Sequence, residues 1–103
     1  MKLLTKAILA KLPPIGLTDG DDNSPVIVKF FTPDSNWTWY ATEYDPEDQL
    51  FFGLVCGFEE ELGYFSLADL ESAKGPLGLP VERDRHYGEH TLADVMARKA
   101  GTL

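Results

Sequence analysis

The first regular apolar pattern along the chain lies close to its N-terminus. Apolar residues recur there at helical spacing with lysines between them: Leu4, Ala7, Ile8 and Leu12. The pattern predicts a short amphipathic helix over residues 4–12, which ends at Pro13 because proline cannot continue a helix. Residues 13–25 are rich in Pro, Gly, Asp, Asn and Ser, a composition that is typical of a loop.

Three runs of apolar, aromatic and β-branched residues follow, at positions 26–31, 37–44 and 50–58. Their connections are rich in turn-forming residues and short enough for hairpins, so the pattern predicts an antiparallel meander. The third run is apolar on both faces, which places it inside the sheet. A turn at residues 59–61 is expected to lead into a fourth strand near residues 63–66.

The second run alternates with a period of two, as the side chains of a strand do. The alternation predicts one face made of Trp37, Trp39, Ala41 and Glu43, and an opposite face made of Thr38, Tyr40, Thr42 and Tyr44.

Two helices in the second half of the chain are indicated by their N-terminal residues. Ser66 with Asp69, and Thr91 with Asp94, match the capping-box pattern, in which a hydroxyl and a carboxylate each accept from an otherwise unbonded amide. We expect the first of these helices to end at Gly75.

The second helix is expected to end near Gly101, and residues 79–87 are interpreted as a further short strand. The predicted fold is therefore α+β: an antiparallel β-meander of about four to five strands with three short helices, in a single domain over residues 1–103.

Composition supports a folded chain and narrows its functions. With 44% hydrophobic and 12% aromatic residues the chain can bury a core. The net charge of −8, from 17 acids and 9 bases, argues against direct binding to nucleic acid and favours basic partner surfaces. No apolar stretch approaches the ~18 residues of a membrane span. We expect a cytoplasmic protein without membrane contact.

Cys56 is the one cysteine of the chain, which excludes an intrachain disulfide and a thiolate metal cluster. It lies in the most apolar run, so we expect a buried structural thiol.

The acids are concentrated in the middle of the chain, where residues 19–71 hold thirteen carboxylates and one base, Lys29. Those in the loops that bound the meander form the candidate partner-binding surface: Asp19, Asp21, Asp22, Asp34, Asp45, Glu47, Asp48, Glu59, Glu60 and Glu61. Two interpretations remain open. The acids are solvated turns of a soluble protein, or they imitate phosphates and occupy the basic groove of a nucleic-acid-binding protein.

One segment matches the sequence motif of a class of zinc enzymes. His86, Glu89 and His90 have the H-x-x-E-H spacing, which requires both imidazoles on one helix. Gly88 interrupts such a helix and Thr91 caps a later one, so we expect neither catalysis nor a bound metal or cofactor here. A small zinc-dependent hydrolase that uses these residues is kept as an alternative.

Four segments of the chain resemble the family described as domain of unknown function 2958. They are WTWYATEYDP at residues 37–46, LFFGLVCG at 50–57, ELGYFSL at 61–67 and PLGLPVERD at 76–84. The resemblance implies an accessory protein of bacterial plasmids, integrative elements and phages, whose genes often lie near anti-restriction genes.

The resemblance and the charge together suggest a non-enzymatic, anti-defence binding protein. The expected partner is a basic protein surface, such as that of a host restriction nuclease or a CRISPR effector subunit, whose nucleic-acid-binding surface the acids would occupy. An accessory partner protein of plasmid replication or transfer, which binds through the aromatic sheet, is the other alternative.

Overall fold

A computed structural model describes residues 2–18 and 21–98 of the chain. Within these residues there are seven strands and three helices. The strands are β1 (Pro25–Val26), β2 (Val28–Phe31), β3 (Thr38–Asp45), β4 (Leu50–Cys56), β5 (Glu60–Ser66), β6 (Glu82–Arg83) and β7 (His90–Thr91). The helices are α1 (Lys6–Lys11), α2 (Leu67–Ser72) and α3 (Leu92–Ala97).

Five of the strands form one antiparallel sheet in the order β5-β4-β3-β2-β6, and β1 pairs with β7 in a second, two-stranded sheet. The consecutive pairing of β2 to β5 confirms the predicted meander and the α+β class. β4 has a partner on each side, as its apolar faces indicated. The predicted strand over residues 26–31 is divided at Ile27, whose amide donates to the Ala41 carbonyl at 2.9 Å.

A β-bulge interrupts the register between β3 and β4. Ala41 lies opposite Gly53 but Glu43 lies opposite Phe52, so Thr42 is an extra residue in β3. The bulge turns Tyr44 onto the face of the sheet that carries Trp39 and Ala41. The strict alternation expected for this strand is therefore wrong beyond Ala41.

The two faces of the sheet carry separate apolar clusters. The larger cluster lies under the N-terminal residues and α2, with α1 packed against it, and consists of Leu3, Leu4, Val28, Phe30, Trp39, Ala41, Tyr44, Phe51, Phe65, Leu70 and Val81. The smaller cluster lies under α3 and consists of Val26, Tyr40, Leu54, Cys56, Leu92 and Val95. Helices on both faces bury the middle of the sheet and leave its ends accessible.

Both predicted N-caps are present, but the complete capping box is formed at Thr91 and not at Ser66. The Ser66 hydroxyl accepts from the Asp69 amide at 3.0 Å. Thr91 and Asp94 form the complete capping box, with hydrogen bonds of 3.1 Å and 2.8 Å. α2 ends earlier than expected, because its C-cap is Ala73.

Other predicted boundaries are shifted. The strand expected over residues 79–87 is reduced to β6, and β7 was not predicted. The expected helix end at Gly101 lies outside the described residues. The acids at positions 60 and 61 belong to β5, because the turn before this strand occupies residues 57–59.

One buried carboxylate joins the loop after α1 to the sheet. The Glu43 side chain is 1% exposed and accepts from the Gly16 amide at 3.0 Å. It also accepts from the amide and the hydroxyl of Thr18, at 2.6 Å and 2.5 Å. The alternating pattern of β3 did not predict these contacts of Glu43.

Candidate protein-binding surface at one end of the sheet

The meander separates the acids that the sequence analysis grouped together. Successive turns of a meander lie at alternate ends of the sheet, so the β3–β4 turn and the β4–β5 turn lie at opposite ends of β4. Seven residues of extended strand span roughly 20 Å. Asp45, Glu47 and Asp48 are therefore remote from Glu59 and Glu61.

The other acids are divided again. Asp34 follows β2 in the turn to β3, at the end of the sheet that also carries Glu59. Asp21 and Asp22 lie beside the start of α3, where the Asp22 carbonyl accepts from the Ala93 amide at 2.8 Å. Asp19 lies outside the described residues. The structure does not bring the nine described acids to one face.

Four of these acids also have partners within the chain. Asp21 accepts from the Asn23 amide at 2.9 Å, Asp45 from the Glu47 amide at 3.0 Å, Asp34 from the Leu77 amide at 2.7 Å, and Glu60 pairs with Arg98 at 2.6 Å. Such bonds shape turns and fix segments, which accounts for these acids without any ligand.

Two large aromatic side chains stand beside the remaining acids at the β4–β5 turn. Phe58 is 96% exposed and Trp37 is 36% exposed, and their rings meet edge to face with centroids 5.7 Å apart. Trp39 stacks on Trp37 with ring centroids 5.9 Å apart. An exposed Phe alone needs no explanation, but a contiguous exposed patch with a polar rim marks an interaction site.

Gly57 explains how the Trp37 ring is held. Trp37 precedes β3 and Gly57 follows β4, next to the paired Thr38 and Cys56, and a β-carbon on Gly57 would lie 2.4 Å from the indole. Because glycine has no side chain, the indole occupies the space that a β-carbon at this position would need. Phe58 is the next residue of the β4–β5 turn, and its side chain points into solvent instead of into the core.

Two clefts share Trp37 as a lining residue. A cleft of about 290 Å³ is lined by Trp37, Val55, Phe58, Glu59 and Glu61. A second, of about 390 Å³, is lined by Thr32, Ser35, Trp37, Trp39, Ala73, Lys74, Gly75 and Pro76. We define the hairpin-end surface as Trp37, Phe58, Glu59 and Glu61, in which an apolar ridge is flanked by carboxylates.

Cys56 lies behind this surface and is buried, as predicted. Burial raises the pKa of its thiol, and the nearby Arg98 guanidinium offsets only part of this effect. Arg98 approaches the sulfur at 3.0 Å while it pairs with Glu60. This arrangement holds α3 against the sheet and leaves a thiol that is poorly nucleophilic at neutral pH.

The H-x-x-E-H segment has no helix. His86 lies in a turn and His90 in β7, so the two imidazoles do not share a helix face. Within residues 2–18 and 21–98 there is no group of three side chains placed to hold a metal ion. The nearby Arg83 donates to the Lys2 carbonyl, which fastens β6 to the N-terminal segment.

The family model described as "Protein of unknown function (DUF2958)" matches residues 3–103. The chain belongs to this family. No curated protein and no solved structure matches it at a significant level. None of the helices in the described part of this DUF2958 chain is long and apolar enough to cross a membrane.

The exposure of Phe58 in this DUF2958 member was not predicted, because the third apolar run was expected to continue as a strand to that residue. The turn begins at Gly57, and Phe58 is flanked by glycine and by three glutamates. A lone aromatic residue between glycine and acids is the signal that could have identified it as an exposed turn residue.

Proposed function

We propose that this protein acts by binding, and that its hairpin-end surface docks onto a basic surface of a partner protein. The observation that supports the proposal is the 96% exposure of Phe58 beside the carboxylates of Glu59 and Glu61. Aromatic anchors inside a polar rim are the residues that dominate the affinity of protein interfaces.

The two kinds of side chain contribute differently. Burial of one exposed Phe side chain stabilises a complex by about 1.5–3 kcal/mol. The carboxylates contribute less to affinity than to the rate and selectivity of association, because they attract a positive surface before contact. The net charge of −8 adds to this attraction and disfavours acidic partners.

The partner that fits best is a nucleic-acid-binding protein of a host defence system, either a restriction nuclease or a CRISPR effector subunit. Such proteins have basic grooves that contain arginine, which stacks on aromatic rings and pairs with carboxylates. In this proposal a mobile genetic element carries the protein, which acts in the host cytoplasm. The proposed contact involves fewer acids than the ten that were expected to imitate the phosphates of nucleic acid, because the acids are divided between the ends of the sheet.

The test is a plasmid-interference assay in bacteria that carry one defined restriction or CRISPR system at a time. Expression of the protein should raise the transformation efficiency of a targeted plasmid at least tenfold in one of these systems. The same protein should inhibit DNA cleavage by that purified nuclease, and inhibition should weaken as salt rises because the attraction is screened.

The chain offers a matched control. The double variant Glu59→Lys, Glu61→Lys and the single variant Phe58→Ala should both abolish protection. The double variant Glu47→Lys, Asp48→Lys makes the same change of net charge at the opposite end of the sheet and should retain protection. Protection in none of the systems, or equal loss with both double variants, would show that the proposal is wrong.

A further inference from the structure

β5 is a long strand at the edge of the five-stranded sheet. Its seven residues pair with β4 in one unbroken register, from Leu50 opposite Ser66 to Cys56 opposite Glu60. The other edge strand, β6, has two residues. Natural proteins usually protect a long edge with proline, lysine or a bulge. β5 contains none of these, and its charges are confined to its first two residues.

The edge strand also carries exposed apolar side chains on one face. Leu62 is 42% exposed and Tyr64 is 60% exposed, and the Tyr64 ring meets Phe52 of β4 at 5.1 Å. These three residues form an apolar band that reaches the free edge. The band lies beyond the area that α3 covers, since the cluster beneath that helix does not include it.

We propose that β5 pairs with β5 of a second copy of this chain, antiparallel and about a two-fold axis at Gly63. Gly63 is the midpoint of the strand, so this register pairs all seven residues and adds about six to eight hydrogen bonds between the chains. A two-fold axis makes each contact twice, which is the usual symmetry of a dimer. The proposal rests on different observations from the binding function proposed above, and Glu61 is the one residue that the two surfaces share.

The side chains of β5 are complementary to themselves in this register. Leu62 faces Tyr64 of the second copy, and Tyr64 faces its Leu62, so the two apolar bands join. Glu60 and Glu61 face Ser66 and Phe65 rather than each other. An axis moved to Glu61 would place two carboxylates directly opposite, which destabilises a sheet.

Gly63 suits the position on the axis. A β-carbon built there would meet no atom within 4 Å, so the face of the strand is open at this residue. Opposed residues of an antiparallel pair have their α-carbons about 4.5–5.5 Å apart. That distance falls within the range of about 4.4–6.8 Å that a disulfide spans.

The register can therefore be tested with single cysteines. Under mild oxidation Gly63→Cys should form a covalent dimer, because the new thiol lies directly opposite the same thiol of the second chain. The matched variant Glu61→Cys should remain uncross-linked. Its two thiols would lie about four residues apart along the strand, roughly 13 Å. The native thiol, Cys56, is buried and does not compete.

Sedimentation equilibrium of the unmodified protein gives a second, independent measurement. The expected mass is twice the 11.5 kDa of one chain. The variant Tyr64→Lys should have the mass of a single chain, because a lysine at the strand edge opposes pairing. Dimerisation should strengthen with salt, because two chains of equal charge repel each other. A monomeric mass at high micromolar concentration would overturn the proposal. A dimer in which both cysteine variants cross-link equally, or neither does, would also overturn it.

Discussion

Thr18 donates two hydrogen bonds to the Glu43 carboxylate, one from its backbone amide at 2.6 Å and one from its hydroxyl at 2.5 Å. With the Gly16 amide at 3.0 Å, the buried carboxylate accepts three bonds from a loop that is more than twenty residues away in sequence. A buried carboxylate is tolerated only with such partners. The contact fixes the path of residues 16–18, after α1.

We expect Glu43→Ala to lower the free energy of unfolding by about 1–3 kcal/mol, because it removes the acceptor of three hydrogen bonds that fix the loop after α1 to the sheet. Urea unfolding followed by circular dichroism measures the change. The control is Glu47→Ala, an exposed acid in the β3–β4 turn, which should stay within about 0.5 kcal/mol of the unaltered protein. Equal stability of the two variants would contradict the structural role given to Glu43.

Gly53→Ala should destabilise the fold because of the bulge in β3. A β-carbon at Gly53 would lie 1.8 Å from the Tyr40 carbonyl oxygen, and backbone atoms cannot move aside as a flexible side chain does. We expect a loss of about 1–3 kcal/mol or more in unfolding free energy. Gly63→Ala is the matched control in the paired strand, since its β-carbon enters open space. A neutral Gly53→Ala variant would mean that the bulge is not formed.

Asp94 should make the stability of the fold depend on pH in the acid range. Hydrogen bonds from the Thr91 amide and hydroxyl lower the pKa of this carboxyl from 3.8. The folded pKa is below the unfolded one, so the stabilisation is fully present above the unfolded pKa. It is lost as pH falls through the folded pKa.

Thermal unfolding of Asp94→Asn should accordingly show a smaller decrease in melting temperature between pH 5 and pH 2 than the unaltered protein shows. Asp69→Asn is the control at the equivalent position of α2, where the structure gives only the serine half of the box. If both variants lose the same pH dependence, the complete box at Thr91 has no special effect.

Cys56 should react slowly with a thiol reagent at pH 8 in the folded protein. The raised pKa leaves less thiolate, and burial excludes the reagent until the structure opens. The rate should rise by orders of magnitude in urea. Glu61→Cys, on the exposed part of β5, supplies a fast thiol for comparison. Fast labelling of native Cys56 would contradict its placement under α3.

The features that the sequence predicted well are those with local causes. The caps at Ser66 and Thr91 need only a residue three positions away, and the order of the meander follows from short turns between apolar runs. The bulge at Thr42 has no such local signal, because its partner strand decides it. The partners of Glu43 could not be predicted for the same reason.

The division of the acids, in contrast, could have been deduced. A meander places consecutive turns at alternate ends of its sheet, so the predicted topology already separated residues 45–48 from residues 59–61. The net charge of a segment does not depend on this geometry, so the charge pattern alone did not reveal the division. The exposure of Phe58 depends on where β4 ends. The strand was predicted to end at residue 58 but ends at Cys56, so an exposed turn residue was assigned to a strand.

The stacking of Trp37 on Trp39 gives the protein a built-in optical reporter. The chain contains two tryptophans, and both lie at the end of the sheet that carries Phe58. Two indoles at 5.9 Å couple electronically, so their near-ultraviolet dichroism and emission depend on how the rings are held. Any partner that covers Trp37 will change this signal, and the protein can be titrated without a label.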